Sequence, residues 1–257
     1  MSTIKPKLTL KMTLKILNNY SPNFDFKKRN IRNINSLIFH YTGMKYEKDA
    51  IKKLTSTNSK VSSHYFIKKN GEILKLVPDL YIAWHAGISR WRNFNSLNKN
   101  SIGIEISNSG HNFNYNVFTK KQINSIYKLS KYLIKKYKIR NKYILGHSDI
   151  APERKKDPGE KFPWKYLSKY KIGYWHNIDQ KKLIKYRMKE IDNSHKLSFY
   201  KNLYKIGYSK IPKNFKYKKN KYSIKITKSF QRRFRPEIVN GKVDKECLII
   251  SQNLIKQ

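Results

Sequence analysis

Three residues in this chain combine metal-ligand chemistry with a spacing that lets them meet: His40, His147 and Asp157. His40 closes the apolar run Ser36–His40, and His147 closes Tyr143–His147. Short apolar runs of this kind read as buried strands. A histidine at the carboxyl end of such a strand points into the crevice where open α/β sheets hold ligands. Asp157 lies ten positions beyond His147 on an Asp-Pro-Gly turn, which can fold back and bring its carboxylate beside both imidazoles. Two histidines and one carboxylate leave a fourth tetrahedral position on zinc open to water, the catalytic arrangement. Zinc brings that water's pKa down to roughly 7. Hydrolysis of an amide needs two further groups. A base must take a proton from the water and later deliver one to the leaving amine; Glu105 is the candidate. A cation must hold the developing oxyanion; Lys155, two residues before Asp157, is the candidate.

Spacing alone leaves other readings open. The chain has seven histidines, and a histidine is more often packed or solvated than a ligand. A glutamate alternating with isoleucines is usually a solvated face, and one lysine in so lysine-rich a chain carries little information.

The elements that must position these residues are legible in the hydrophobic pattern. Ser36–His40, His64–Ile67 and Glu72–Val77 read as strands, with Asn70-Gly71 as the turn of a hairpin between the last two. In Ser101–Ser107, Ile102, Ile104 and Ile106 share one face, while Gly103, Glu105 and Ser107 share the other. Tyr46–Leu54 reads as a helix. Thr119–Tyr137 reads as a strongly amphipathic one, with Thr119 as its cap. A strand or helix is expected near Leu8–Leu17, and a loop rich in proline and charge from Asp149 to Pro163. Strands mixed with helices predict an α/β domain built on a central mixed β-sheet flanked by helices. After residue 178 the composition shifts. A linker is expected near 178–196, with helical stretches at Lys181–Met188, Leu197–Ile206, Ile224–Phe230 and Cys247–Ile255 that form a small C-terminal helical bundle. The predicted division is therefore 1–178 and 179–257.

Composition narrows the function classes. No apolar stretch approaches the ~18 residues of a membrane span. Lysines at 11 and 15 interrupt the N-terminal apolar run, so no secretory signal is read there. The sole cysteine, Cys247, permits no intrachain disulfide and supplies no lipoprotein-type N-terminal cysteine. The formal charge is +41, from 57 basic and 16 acidic residues. That charge points to an anionic partner, but Lys, Asn, Ile and Tyr crowd the whole chain, as in KYKKNKY (216–222), a pattern that A/T-rich codons produce without site-by-site selection. The charge is dispersed and no docking motif accompanies it, so no specific nucleic-acid partner is expected.

Five blocks resemble, in order, the amidase family that includes the AmpD and AmiD enzymes and the peptidoglycan-recognition proteins. They are IFHYTG (38–43), VSSHYFIKKNGEILKLVPD (61–79), AWHAG (83–87), SIGIEISN (101–108) and GHSDIAPERKKDPGEKFPW (146–164), spanning roughly 35–178. The resemblance implies a peptidoglycan-recognition-protein-like amidase fold. It implies one Zn2+ per chain held by His40, His147 and Asp157, and Glu105 and Lys155 as catalytic groups. Recognition-only relatives usually lose a zinc ligand; this chain retains the full set. His64 and His85 also fall in family blocks and are placed near the groove, as groups that contact substrate or support those that do; for His64 a buried hydrogen-bonded histidine is an equal reading. Trp84 is read as lining the groove or as core. Arg90, Trp91 and Asn93 precede the Glu105 strand and are candidate contacts for an anionic muropeptide. His111, His176 and His195 are read as structural or surface residues.

SFQRRFRP (229–236), followed by Asn240-Gly241-Lys242-Val243-Asp244, is similar to a small three-helix peptidoglycan-binding domain of the kind AmiD-type enzymes carry. Lysines and asparagines at 213–222 depart from that pattern. The expectation is therefore a monomeric zinc-dependent N-acetylmuramoyl-L-alanine amidase acting on peptidoglycan or muropeptides. A non-catalytic wall binder is the first alternative and a nonspecific polyanion binder the second. The resemblance points to the cell envelope, and the unread export signal to the cytoplasm.

Overall fold

The computed structural model describes residues 14–208 and 220–257. The strands are β1 (Ile16–Asn18), β2 (Phe24–Asp25), β3 (Ser36–Tyr41), β4 (Tyr65–Ile67), β5 (Ile73–Lys75), β6 (Ile82–Ala83), β7 (Arg90–Trp91), β8 (Phe94–Asn95), β9 (Ser101–Ile106) and β10 (Ile144–Gly146). The helices are α1 (Glu47–Thr55), α2 (Lys120–Tyr137), α3 (His147–Ile150), α4 (Trp164–Ser168), α5 (Gln180–Ile184), α6 (Asn193–Ile206), α7 (Lys221–Phe234) and α8 (Lys245–Leu254).

Six strands form one mixed sheet in the order β1-β5-β4-β9-β3-β10. Its only antiparallel pair is the β4–β5 hairpin; the other neighbours run parallel. β3 and β9 are adjacent interior strands, and their residues are almost wholly buried, as strands covered on both faces must be. The pleat sorts their side chains. Leu37, Phe39, Ile102, Ile104 and Ile106 pack with Ile126, Leu129 and Leu133 of α2 in one cluster. Ile38 and Leu145 pack in a second cluster with Phe199, Leu203, Phe230, Phe234, Cys247 and Leu248 of the C-terminal helices. One apolar core thus joins residues from both sides of position 178.

The expected elements recur with shifted ends, and caps explain most of the shifts. Thr119 caps α2, accepting from the Gln122 N–H at 3.1 Å while the Gln122 side chain accepts from the Thr119 N–H at 3.0 Å. Such a cap contributes about 1 kcal/mol. α6, α7 and α8 begin before their apolar stretches because Asp192, Asn220 and Asp244 accept from backbone N–H groups of the first turns. α5 falls on the helical stretch expected at Lys181–Met188, within the expected linker, and stops at Ile184. Of the N-terminal element expected near Leu8–Leu17, only its end lies within the described residues, as the start of β1. His147 does not end a strand: β10 stops at Gly146 and His147 opens the short helix α3.

Candidate active site

The pleat that sends Ile38 into the C-terminal cluster sends His40, two residues on, to the same face. There the packing ends and a cleft of about 470 Å³ opens. Parallel pairing of β3 with β9 sets Glu105 directly beside His40. The chain after α3 folds back, as the Asp-Pro-Gly turn suggested, and the Ser148 N–H donates to the Asp157 carbonyl at 2.8 Å. This backbone bond draws the segment carrying Asp157 against the residue after His147.

The three expected ligands converge. The Nδ1 atoms of His40 and His147 are 2.9 Å apart, and Asp157 Oδ2 lies 3.0 Å from each. All three residues are buried. The network around them assigns the ring tautomers. His147 Nε2–H donates to the Ala86 carbonyl at 3.1 Å. His40 Nε2–H donates to His85 Nδ1 at 3.0 Å, His85 Nε2–H donates to Ser101 Oγ at 3.2 Å, and Ser101 Oγ–H donates to the Leu97 carbonyl at 2.6 Å. With the outer nitrogens committed as donors, both Nδ1 lone pairs and a carboxylate oxygen face one point. That is the donor set and orientation a divalent metal such as zinc requires. Burial, with His147 beside it, holds the His40 imidazolium pKa down at about 4, so the ring is neutral at pH 7, as a ligand must be.

Glu105 and Lys155 line the same cleft. Burial, reinforced by Asp157 and opposed by Lys155, raises the Glu105 carboxyl to about 8. Its Oε2 is buried and finds no hydrogen-bond partner among the described residues. A carboxyl poised near neutrality beside a metal-type donor set can exchange protons with a bound water and a leaving group. Lys53, Arg154 and Lys156 add positive charge to the cleft lining, which suits an anionic ligand.

The other expected contacts divide. Trp84 and His85 line the cleft, and the Trp84 Nε1–H donates to Asp25 Oδ1 at 2.7 Å. His64 does not reach it. Its ring is wholly buried, Nδ1 accepts the Gly103 N–H at 3.0 Å, and Nε2 lies 2.9 Å from Arg29 Nη2 and 3.0 Å from the Tyr81 carbonyl. Its place is therefore that of a core histidine bracing β9. Arg90 bonds Asn95 Oδ1 at 2.9 Å and lines a neighbouring groove of about 520 Å³ rather than the cleft. Asn93 is exposed between β7 and β8, whereas Trp91 is buried in the core against Tyr208 and does not line the cleft.

Two residues escaped the sequence reading. Arg154 donates to the Ala86 and Ile88 carbonyls, fixing the backbone that receives the His147 ring. Its place beside Lys155 in the most specific block was the available signal. Gly103 faces the His85 ring so closely that a Cβ would collide with it. The signal there was the one glycine on the Glu105 face of β9.

The sequence model for the N-acetylmuramoyl-L-alanine amidase family matches residues 30–160. The chain is 33% identical over 236 residues to N-acetylmuramoyl-L-alanine amidase AmiD of Escherichia coli, covering 87% of this chain and 83% of that one. It is 36% identical over 170 residues to 1,6-anhydro-N-acetylmuramyl-L-alanine amidase AmpD of Haemophilus influenzae, covering 59% of this chain and 90% of that one. The structure of the E. coli AmiD complex with anhydro-N-acetylmuramic acid-L-Ala-D-gamma-Glu-L-Lys superposes with a TM-score of 0.76 over 87% of this chain and 89% of that one, at 33% identity. AmpDh3 of Pseudomonas aeruginosa superposes with a TM-score of 0.74 over 100% of this chain and 98% of that one, at 28% identity. The family match over half the chain, the AmiD relative over most of it and the shared mixed-sheet fold together make this chain a member of the N-acetylmuramoyl-L-alanine amidase family of enzymes.

Proposed function

We propose that this chain hydrolyses the amide joining the lactyl group of N-acetylmuramic acid to the L-alanine of the stem peptide, with one zinc ion held by His40, His147 and Asp157. The observation that carries the reading is the convergence of those three donor atoms, each about 3 Å from the others, with His147 and Asp157 lining one cleft together with Glu105 and Lys155. A zinc ion held there supplies Lewis acidity toward the attacking water and the scissile carbonyl. Glu105 takes the proton of that water and returns one to the alanine nitrogen. Lys155 places its ammonium over the oxyanion as the tetrahedral centre forms. His85 and Ala86 hold the two imidazoles in the tautomers that leave Nδ1 free. The cationic lining from Lys53, Arg154 and Lys156 receives the carboxylates of a stem peptide. Anhydro-muropeptides are the substrates tried first, because the AmiD and AmpDh3 structures include complexes with an anhydro-N-acetylmuramic acid tripeptide and an anhydromuramic pentapeptide. The cell envelope, or fragments released from it, is the proposed source of substrate.

The test is release of free stem peptide, followed by mass spectrometry, from a purified anhydro-muropeptide and from intact sacculi. Wild-type, metal-stripped and zinc-restored protein are compared with Glu105→Ala. Release that disappears on stripping, returns with zinc and is absent in the variant supports the mechanism. No release from either substrate by protein that has zinc bound would leave only a wall-binding role.

A further inference from the structure

The segment that presents His147 is not held by the sheet alone. Helix α7, more than seventy residues downstream, reaches it from the far side of the core. Arg233 Nη1 donates to Asp149 Oδ2 at 2.5 Å, and Arg233 Nη2 donates to the Ile144 carbonyl at 3.0 Å. Ser229 Oγ donates to the Ser148 carbonyl at 2.6 Å. Tyr208, just past α6, donates to Asp149 Oδ1 at 2.8 Å. Asp149 in turn accepts the Gly146 N–H at 2.8 Å. The contacts fall on residues 144, 148 and 149, on both sides of the ligand and on the backbone that carries it. The Ser148 N–H is the group that bonds the Asp157 carbonyl, so a shift at Ser148 is passed to the second ligand. Arg233 is itself fixed: it is buried, and its guanidinium lies 4.2 Å from the Trp164 ring centroid.

A buried arginine–aspartate pair yields little net stability over an apolar replacement of the same shape, because desolvation offsets the attraction. Its physical effect is directional. A planar fork with two fixed donors specifies where its acceptors stand. Here the acceptors are the side chain that caps the His147 turn and the carbonyl of the preceding strand.

We propose that α7 is part of the metal-site scaffold, and that Arg233 and Ser229 are positioning residues that aim His147 Nδ1 at the point shared with His40 and Asp157. The C-terminal helices then set metal affinity, besides any contact they make with the wall. The inference rests on the metal reading of the three ligands.

A comparison within the same bundle isolates the effect. Arg235 is equally buried and donates to Asp244 Oδ2 at 2.6 Å, a contact confined to the C-terminal helices and their connection. Full-length wild type, Arg233→Met, Ser229→Ala, Tyr208→Phe and Arg235→Met are stripped of metal. Zinc affinity is then measured by competition with a chromogenic chelator, and thermal unfolding of the metal-free forms is followed by circular dichroism. Arg233→Met is expected to weaken zinc binding by about 10-fold or more, with a smaller loss for Ser229→Ala. Arg235→Met is expected to lower the unfolding temperature while leaving zinc affinity at the wild-type value. Wild-type affinity in both Arg233→Met and Ser229→Ala overturns the proposal, as does an equal loss in Arg235→Met. Should Arg233→Met fail to fold, Ser229→Ala and Tyr208→Phe decide it by the same criteria. A wild-type chain that takes up no zinc overturns the metal reading itself, and is told apart by the missing reference affinity.

Discussion

At the scale of single residues, the cleft separates groups that do chemistry from groups that aim them. Glu105→Gln keeps the shape of the side chain and removes its basicity. It is expected to lower stem-peptide release by about 10²- to 10⁴-fold with zinc content unchanged, which mass spectrometry and metal analysis together would check. Gly103→Ala tests the aiming. Its Cβ would run into the His85 ring, displacing the acceptor that fixes the His40 tautomer. A fall in zinc affinity of about 10-fold or more is expected, read by chelator competition, with Glu105 still in place. The metal-type donors were legible because each closes an apolar run or sits on a rigid turn, and the family blocks named Glu105 and Lys155. His64 was not separable from His85 in sequence: both precede or follow apolar residues in family blocks. Only the three-dimensional fact that β9 donates the Gly103 N–H to one of them sends His64 into the core and leaves His85 in the cleft.

At the scale of elements, one carboxylate fastens α2 to the β4–β5 hairpin. Asp79, buried beyond the end of β5, accepts from Tyr65 on β4 at 2.6 Å and from Tyr137 and Lys136 at the end of α2. Burial alone would raise its pKa, but the hydrogen bonds from Tyr137, Tyr65 and Lys136 outweigh that and hold it down at about 2, from an ordinary value of 3.8. Because the folded value lies below the unfolded one, the stabilisation is fully present above about pH 4 and is lost as pH falls toward 2. It amounts to about 2 kcal/mol. Asp79→Asn should therefore melt at a lower temperature than wild type at pH 7, and the gap should narrow across that acid window in a thermal scan. The strands and α2 were readable from periodicity. The clamp was not, since nothing in Asp79's local sequence says that a helix ending 58 residues later lies beside it. The starts of α6, α7 and α8 were missed for a related reason: polar caps and the polar residues that follow them carry no apolar signal.

At the scale of the whole molecule, the apolar core runs through both parts of the chain. A chain cut after residue 178 would strip Phe199, Leu203, Phe230, Phe234 and Leu248 from Ile38 and Leu145. Such a fragment is expected to aggregate or to melt without a cooperative transition, checked by soluble yield and circular dichroism. The change of composition near 178 was visible in the sequence; the core that crosses it was not, because alternation shows which face is apolar and not what covers it. The formal charge of +41 predicts binding to nucleic acid without sequence preference that weakens steeply with salt in a filter-binding titration. The lone thiol sits inside the shared core. Cys247 is fully buried, and burial, with Asp244 nearby, pushes its pKa up to about 12, so in the closed protein it is both shielded and unreactive. An alkylating reagent can reach it only when the seam between sheet and C-terminal helices parts. The chain thus carries its own stopwatch: the rate at which a native sample takes up one label reports how often the molecule opens, with no engineered probe.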